Sequence, residues 1–121
     1  MRNKEWRNNF ADRLLKFGFS IIRLANNFPK TPAGFAIASQ IIRSATSIGA
    51  NFVEAQDASS IKDFIQKLSI ALREAKETNY WLQIVQMSGL ISKTLLIELI
   101  KENNEIISVL VASVKSSKLR L

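Results

Sequence analysis

Apolar residues recur at alternating steps of three and four along four stretches of the chain. In the first, Phe10, Leu14, Phe17, Ile21, Leu24 and Phe28 form one line. At about 100° per residue, such a line gathers on one side of an α-helix. The second stretch carries Ile37, Ile41, Ile48 and Phe52. The third carries Ile61, Phe64, Leu68, Ala71, Ala75, Thr78 and Leu82, and the fourth Leu96, Ile100, Asn103, Ile107, Leu110 and Val114, with one polar intruder. Strand-like alternation is absent, and the β-branched residues fall at helical spacing.

Three breaks separate these stretches. "NNFPKTPAG" at 26–34 holds both prolines, with Thr31-Pro32 reading as a cap followed by a first-turn proline. "QDASSIKD" at 56–63 places Ser60 three residues before Asp63, a capping-box spacing. "MSGLIS" at 87–92 supplies Gly89 to end a helix and Ser92 to cap the next. The pattern predicts an all-α fold: one domain over residues 1–121, an antiparallel up-down-up-down four-helix bundle with helices near 5–27, 32–56, 60–88 and 93–117.

The second helix contains Ser44, Thr46, Ser47, Gly49 and Asn51, which are mediocre or poor helix formers. Short side chains at Ser44, Ala45, Ser47, Gly49 and Ala50 permit close approach of a neighbouring helix, expected to be the third. Beside its apolar line runs a polar one: Gln40, Arg43 or Ser44, Ser47, Asn51 and Glu54. Counting outward from the turn at 57–60 sets Arg43 level with Glu74 and within a turn of Glu77, and Glu54 near Lys62 and Asp63. Counting from 89–92 sets Asn103 level with Thr78 and Asn104 with Glu77. The expectation is a polar layer across the bundle built from Gln40, Arg43, Asn51, Glu54, Glu74, Glu77 and Asn103. It reads either as a network fixing helix register or as a functional site. An arginine near a core needs carboxylate partners, since unpaired it costs several kcal/mol.

Helix one carries a second apolar line, Ala11, Leu15, Gly18 and Ile22, about 90–100° round from the first. Phe19 also lies off the core line. One bundle core needs only one stripe. The second predicts burial against another copy of the chain, a homo-oligomer. A wide core face with a few exposed apolar residues is the alternative.

Charge adds a candidate partner. The net charge is +7, and residues 1–30 hold seven cations against two anions. Such a surplus attracts polyanions, RNA or DNA above all, or else serves only solubility. Arg2, Arg13, Lys16 and Arg23 lie along one flank of helix one and are the candidate nucleic-acid contacts. Tyr80 and Trp81 read as packing residues; a base-stacking platform would need them exposed among positive charge.

The chain has no histidine and no cysteine. That leaves no His or Cys metal ligand, no thiolate nucleophile and no Ser-His pair. Its four glycines form no phosphate-cradling motif. Glu74 and Glu77 are the only carboxylate pair worth weighing for acid–base chemistry, and both sit beside predicted cations. The expectation is no enzyme, no cofactor and no metal. The charged segment "MRNKEWRNNF" lacks the apolar stretch of a signal peptide, and no charge-free run approaches a membrane span. A cytoplasmic location is therefore expected.

"RSATSIGANFVEAQ" followed by "KDFIQKLSIALREAKETNYWL" resembles the four-helix-bundle family whose founding members are encoded by intervening sequences in bacterial large-subunit ribosomal RNA genes. The likeness spans nearly the whole chain, including "NNFPK" and the positions of Gln40, Arg43, Ser44, Ser47, Ile48, Asn51 and Glu54. Many members have proline at the position of Gly49 and glycine at that of Ala55, which points to a subgroup here. The resemblance implies an antiparallel bundle, assembled as a homopentamer, and supplies no catalytic residue. Its relatives include basic accessory proteins of diversity-generating retroelements that bind nucleic acid. An interaction scaffold without nucleic acid is the rival reading.

Overall fold

The computed structural model describes residues 4–121. Four helices follow in order: α1 (Lys4–Asn26), α2 (Pro32–Ala55), α3 (Ile61–Ser88) and α4 (Lys93–Lys118). No strand occurs among the described residues. Successive helices run antiparallel, and α4 closes the ring against α1. The backbones of the diagonal helices α1 and α3 do not approach each other closely. This is the expected all-α, up-down-up-down bundle.

Local chemistry sets the helix ends. The Thr31 hydroxyl accepts the Gly34 amide at 3.1 Å, and Pro32 opens α2 with its backbone angle already fixed. The Ser60 hydroxyl accepts the Asp63 amide at 3.0 Å, and the Asp63 carboxylate accepts the Ser59 amide at 3.3 Å. The reciprocal bond thus reaches one residue further back than in a standard capping box. Gly89, in the left-handed region at φ 69°, ends α3. Ser92 precedes α4 in extended conformation, but its side chain makes no capping bond, contrary to expectation.

The core is continuous along the bundle axis. Leu14, Ile21, Ile41, Ile48, Leu68 and Leu82 are fully buried, one pair from each of the first three helices. In α4 the buried line is Leu96, Leu99, Asn103, Ile106, Leu110 and Val114. Ile100 and Ile107, expected there, sit half-buried at its shoulder. Both Leu99-Ile100 and Ile106-Ile107 fit a three-four spacing. The rotation of α4 is fixed instead by Glu102, bonded to Arg13 of α1, and by Asn103, bonded to α3.

The small residues of α2 divide between two neighbours. Ser44 faces α3. Gly49 faces α1: a Cβ added there would lie 3.3 Å from Leu14 Cβ. One added at Gly18 of α1 would meet the Thr46 methyl at 3.5 Å. The two glycines therefore permit a close approach of α1 to α2, rather than of α2 to α3 alone.

Candidate functional site

The α1–α2 approach creates an open apolar groove of about 450 Å³. Its walls include Ala11, Leu15, Gly18 and Ile22, the residues expected at an oligomer interface, together with Phe19, Gly49 and Val53. Ala11 and Ile22 are half-buried, and Gly18 is buried beneath Thr46 as part of the floor. Leu15, Phe19 and Val53 stand at the rim with 71%, 60% and 52% of their surface exposed. This concentration of uncovered apolar surface lies outside the core line.

The polar residues separate into distinct groups instead of one layer across the bundle. On the outer α2–α3 seam, Arg43 Nη1 lies 3.3 Å from Glu74 Oε1, and Nη2 donates to Gln40 Oε1 at 3.2 Å and to Glu77. Trp81 Nε1 donates to Glu77 Oε2 at 2.9 Å. Just inside the seam, the buried Thr78 hydroxyl hydrogen-bonds with that of Ser44 at 2.9 Å. Asn103 is buried on the other side of α3, where its Nδ2 donates to the Ala75 carbonyl at 2.9 Å and its Oδ1 finds no partner. Asn51 donates to the Ser47 carbonyl at 2.8 Å within its own helix, and Glu54 pairs with Lys67 at 3.4 Å. Asn51, Glu54 and Asn103 thus stand outside the Arg43 cluster. Asn51 and Glu54 lie two and three turns further along α2, and Asn103 is screened from Arg43 by the body of α3.

Two of the candidate helix-one cations form ion pairs within the chain. Arg13 reaches α4, where its Nε and Nη2 donate to Glu102 at 2.7 Å each and Nη2 donates to Glu105 at 2.9 Å. The bond with Glu102 chiefly raises the Arg13 pKa, against a lesser opposing effect of partial burial. Lys16 pairs with Asp12 one turn back at 2.9 Å, and its pKa is raised mainly by that hydrogen bond. The Arg23 guanidinium stands 5.9 Å from the Phe19 ring centroid. Arg2 lies outside the described residues. Arg13 and Lys16 are therefore poor candidates for free phosphate contacts, a correction to the expected basic flank. The Asp12–Lys16 pair was visible as an i, i+4 spacing. The Arg13 bridge needed the register of α1 against α4.

Three cations of α3 differ from these. Lys62, Arg73 and Lys76 of α3 are exposed and have no ion-pair partner among the described residues. Their signal in the sequence is a helical face with no acid on it. Glu74 and Glu77 are committed to Arg43, and no cluster of potential metal ligands occurs among the described residues. No helix is long and apolar enough to cross a membrane.

The fold and these sites define an antiparallel four-helix bundle whose distinctive surface is an uncovered apolar groove. The sequence model of the 23S rRNA-intervening sequence protein family matches residues 8–112, and the chain belongs to that family. A solved structure of a protein of unknown function from the S23 ribosomal protein family, from Bacteroides thetaiotaomicron VPI-5482, is 38% identical. The match covers 87% of this chain and 97% of that one, with a TM-score of 0.81. No curated protein matches the chain.

Proposed function

We propose that the protein is a non-enzymatic basic bundle that self-assembles through the α1–α2 groove and binds RNA or DNA as an accessory or rRNA-associated protein of the cytoplasm. The observation that carries this reading is the groove. Leu15, Phe19 and Val53 are exposed together around a floor of small residues, and a second copy of the chain supplies an apolar partner at matching concentration. The family resemblance favours five copies. Assembly multiplies a surplus of seven positive charges per chain, so that one particle offers many phosphate contacts at once.

Light scattering at tens of micromolar protein, with anisotropy of labelled RNA and DNA in low and moderate salt, tests both halves. The expected result is a homo-oligomer whose nucleic-acid affinity is about micromolar or tighter and falls steeply with salt. Assembly without binding at about 50 mM salt overturns the nucleic-acid half and leaves an interaction scaffold. A monomer overturns the assembly half.

A further inference from the structure

From the cation distribution and the aromatic geometry of α3, we infer that its outward face binds a single strand of nucleic acid, with Tyr80 as a base-stacking platform and Lys62, Arg73 and Lys76 as phosphate contacts. The inference rests on the nucleic-acid reading above and assigns its surface. Residues 73, 76 and 80 are spaced i, i+3 and i+7, and Lys62 lies eleven residues before Arg73, so all four fall within about 60° of one another round the helix. The other positions on this side, 66, 69, 83 and 87, are neutral. No carboxylate interrupts the stripe, and its cations have no ion-pair partner among the described residues.

Tyr80 is 56% exposed amid these charges. Its ring meets that of Trp81 edge-to-face, with centroids 5.2 Å apart and planes at 76°. Trp81 is half-buried and held by its Nε1 bond to Glu77, which Arg43 holds in turn. The Arg43 cluster therefore holds the Trp81 ring that backs one side of the exposed Tyr80 ring. Base–aromatic stacking beside a cationic track is how single strands are bound without sequence preference. A regular duplex keeps its bases stacked on each other and offers the ring nothing comparable. No residue of α3 lines the groove, and α3 lies diagonally across the bundle from α1.

Anisotropy with a labelled oligothymidylate, and with a duplex of matched length, reads the prediction in the full chain. Tyr80→Ala weakens strand binding about fivefold or more and leaves duplex binding unchanged, while Tyr80→Phe retains strand affinity. Arg73→Gln with Lys76→Gln weakens both and lowers the slope of log affinity against log salt by about 0.7 for each strand phosphate no longer neutralised. Lys115→Gln with Lys118→Gln removes the same formal charge and produces a smaller loss. Light scattering and circular dichroism of each variant confirm assembly and fold. Strand binding indifferent to Tyr80→Ala, or equal losses from the two double variants, overturns the assignment of this face while nucleic-acid binding stands. A wild-type protein that binds neither probe overturns the functional reading itself.

Discussion

Replacing Leu15 and Val53 together by glutamine separates assembly from folding. Both residues are more than half exposed in the single chain, at 71% and 52%. Glutamine is a good helix former, so the isolated bundle changes stability by no more than about 0.5 kcal/mol, the usual range for surface substitutions. Complete burial of a valine or leucine side chain contributes about 1.5–3 kcal/mol. The exposed fractions of this pair thus put about 2–4 kcal/mol per copy at stake in covering the groove. Since about 1.4 kcal/mol is a factor of ten, the association constant at each interface should fall about 30-fold to several hundred-fold. Sedimentation or light scattering over a dilution series measures that shift. Melting gives a second readout: the wild-type midpoint rises with protein concentration, and the variant's does not. Equal assembly of the two proteins, or a wild type that stays monomeric at tens of micromolar, would refute the reasoning.

Gly34→Ala should destabilise the bundle by about 3 kcal/mol or more, because the added Cβ would stand 2.0 Å from the Pro29 carbonyl oxygen in the α1–α2 connection; a urea midpoint close to wild type would show that connection able to move aside. Asn103→Leu removes a buried acceptor with no partner and replaces it with apolar volume, so it should stabilise by about 1 kcal/mol despite losing the bond to Ala75; a lower urea midpoint would contradict this. Arg13→Met should cost about 0.5–1 kcal/mol in low salt and less in high salt, since both Arg13 and Glu102 are about one-third exposed; a salt-independent loss would point to packing of the arginine stem instead. Lys16 gives a pH prediction: its raised pKa adds stability that is complete below 10.5 and lost only as pH rises through the higher folded value, so the Asp12 pair should leave the melting temperature level between about pH 6 and 9.

The backbone was legible because three kinds of signal agreed. The three-four spacing marked the helices, Pro32 and Ser60 marked two starts, and Gly89 marked an end. The rotation of α4 was not legible, since Leu99 and Ile100 are equally apolar neighbours and only contacts with α1 and α3 decide which turns inward. The same limit governed the polar residues. Arg43 and its two glutamates could be placed by counting from one tight turn, because the two helices share a seam. Asn103 could be placed by level but not by side, so a layer was expected where α3 stands between. For the groove, the sequence showed the stripe Ala11, Leu15, Gly18 and Ile22 but not its opposite wall, Gly49 and Val53, which belongs to another helix. Tyr80 and Trp81 are adjacent in sequence, yet one is exposed and the other half-buried and hydrogen-bonded. That difference depends on which side of α3 faces Arg43.

The composition of α2 supports the proposed assembly independently of the groove's exposure. From Gln40 to Val53 its only charged residue is Arg43. A helix with one side in water usually places Glu, Lys or Gln there, because they lose little side-chain freedom and keep the surface wet. Here one side enters the core through Ile41, Ile48 and Phe52, and a second meets α3 through Arg43 and Ser44. The third carries Thr46, Gly49, Ala50 and Val53. Gly49 alone costs about 1 kcal/mol against alanine in a helix interior, and its contact with Leu14 accounts for that choice. Contact with α1 does not account for the adjacent Ala50 and Val53, which remain exposed beyond it. A further copy seated in the groove gives all three sides of α2 a protein neighbour, and a helix so surrounded has no place for the charged residues it lacks.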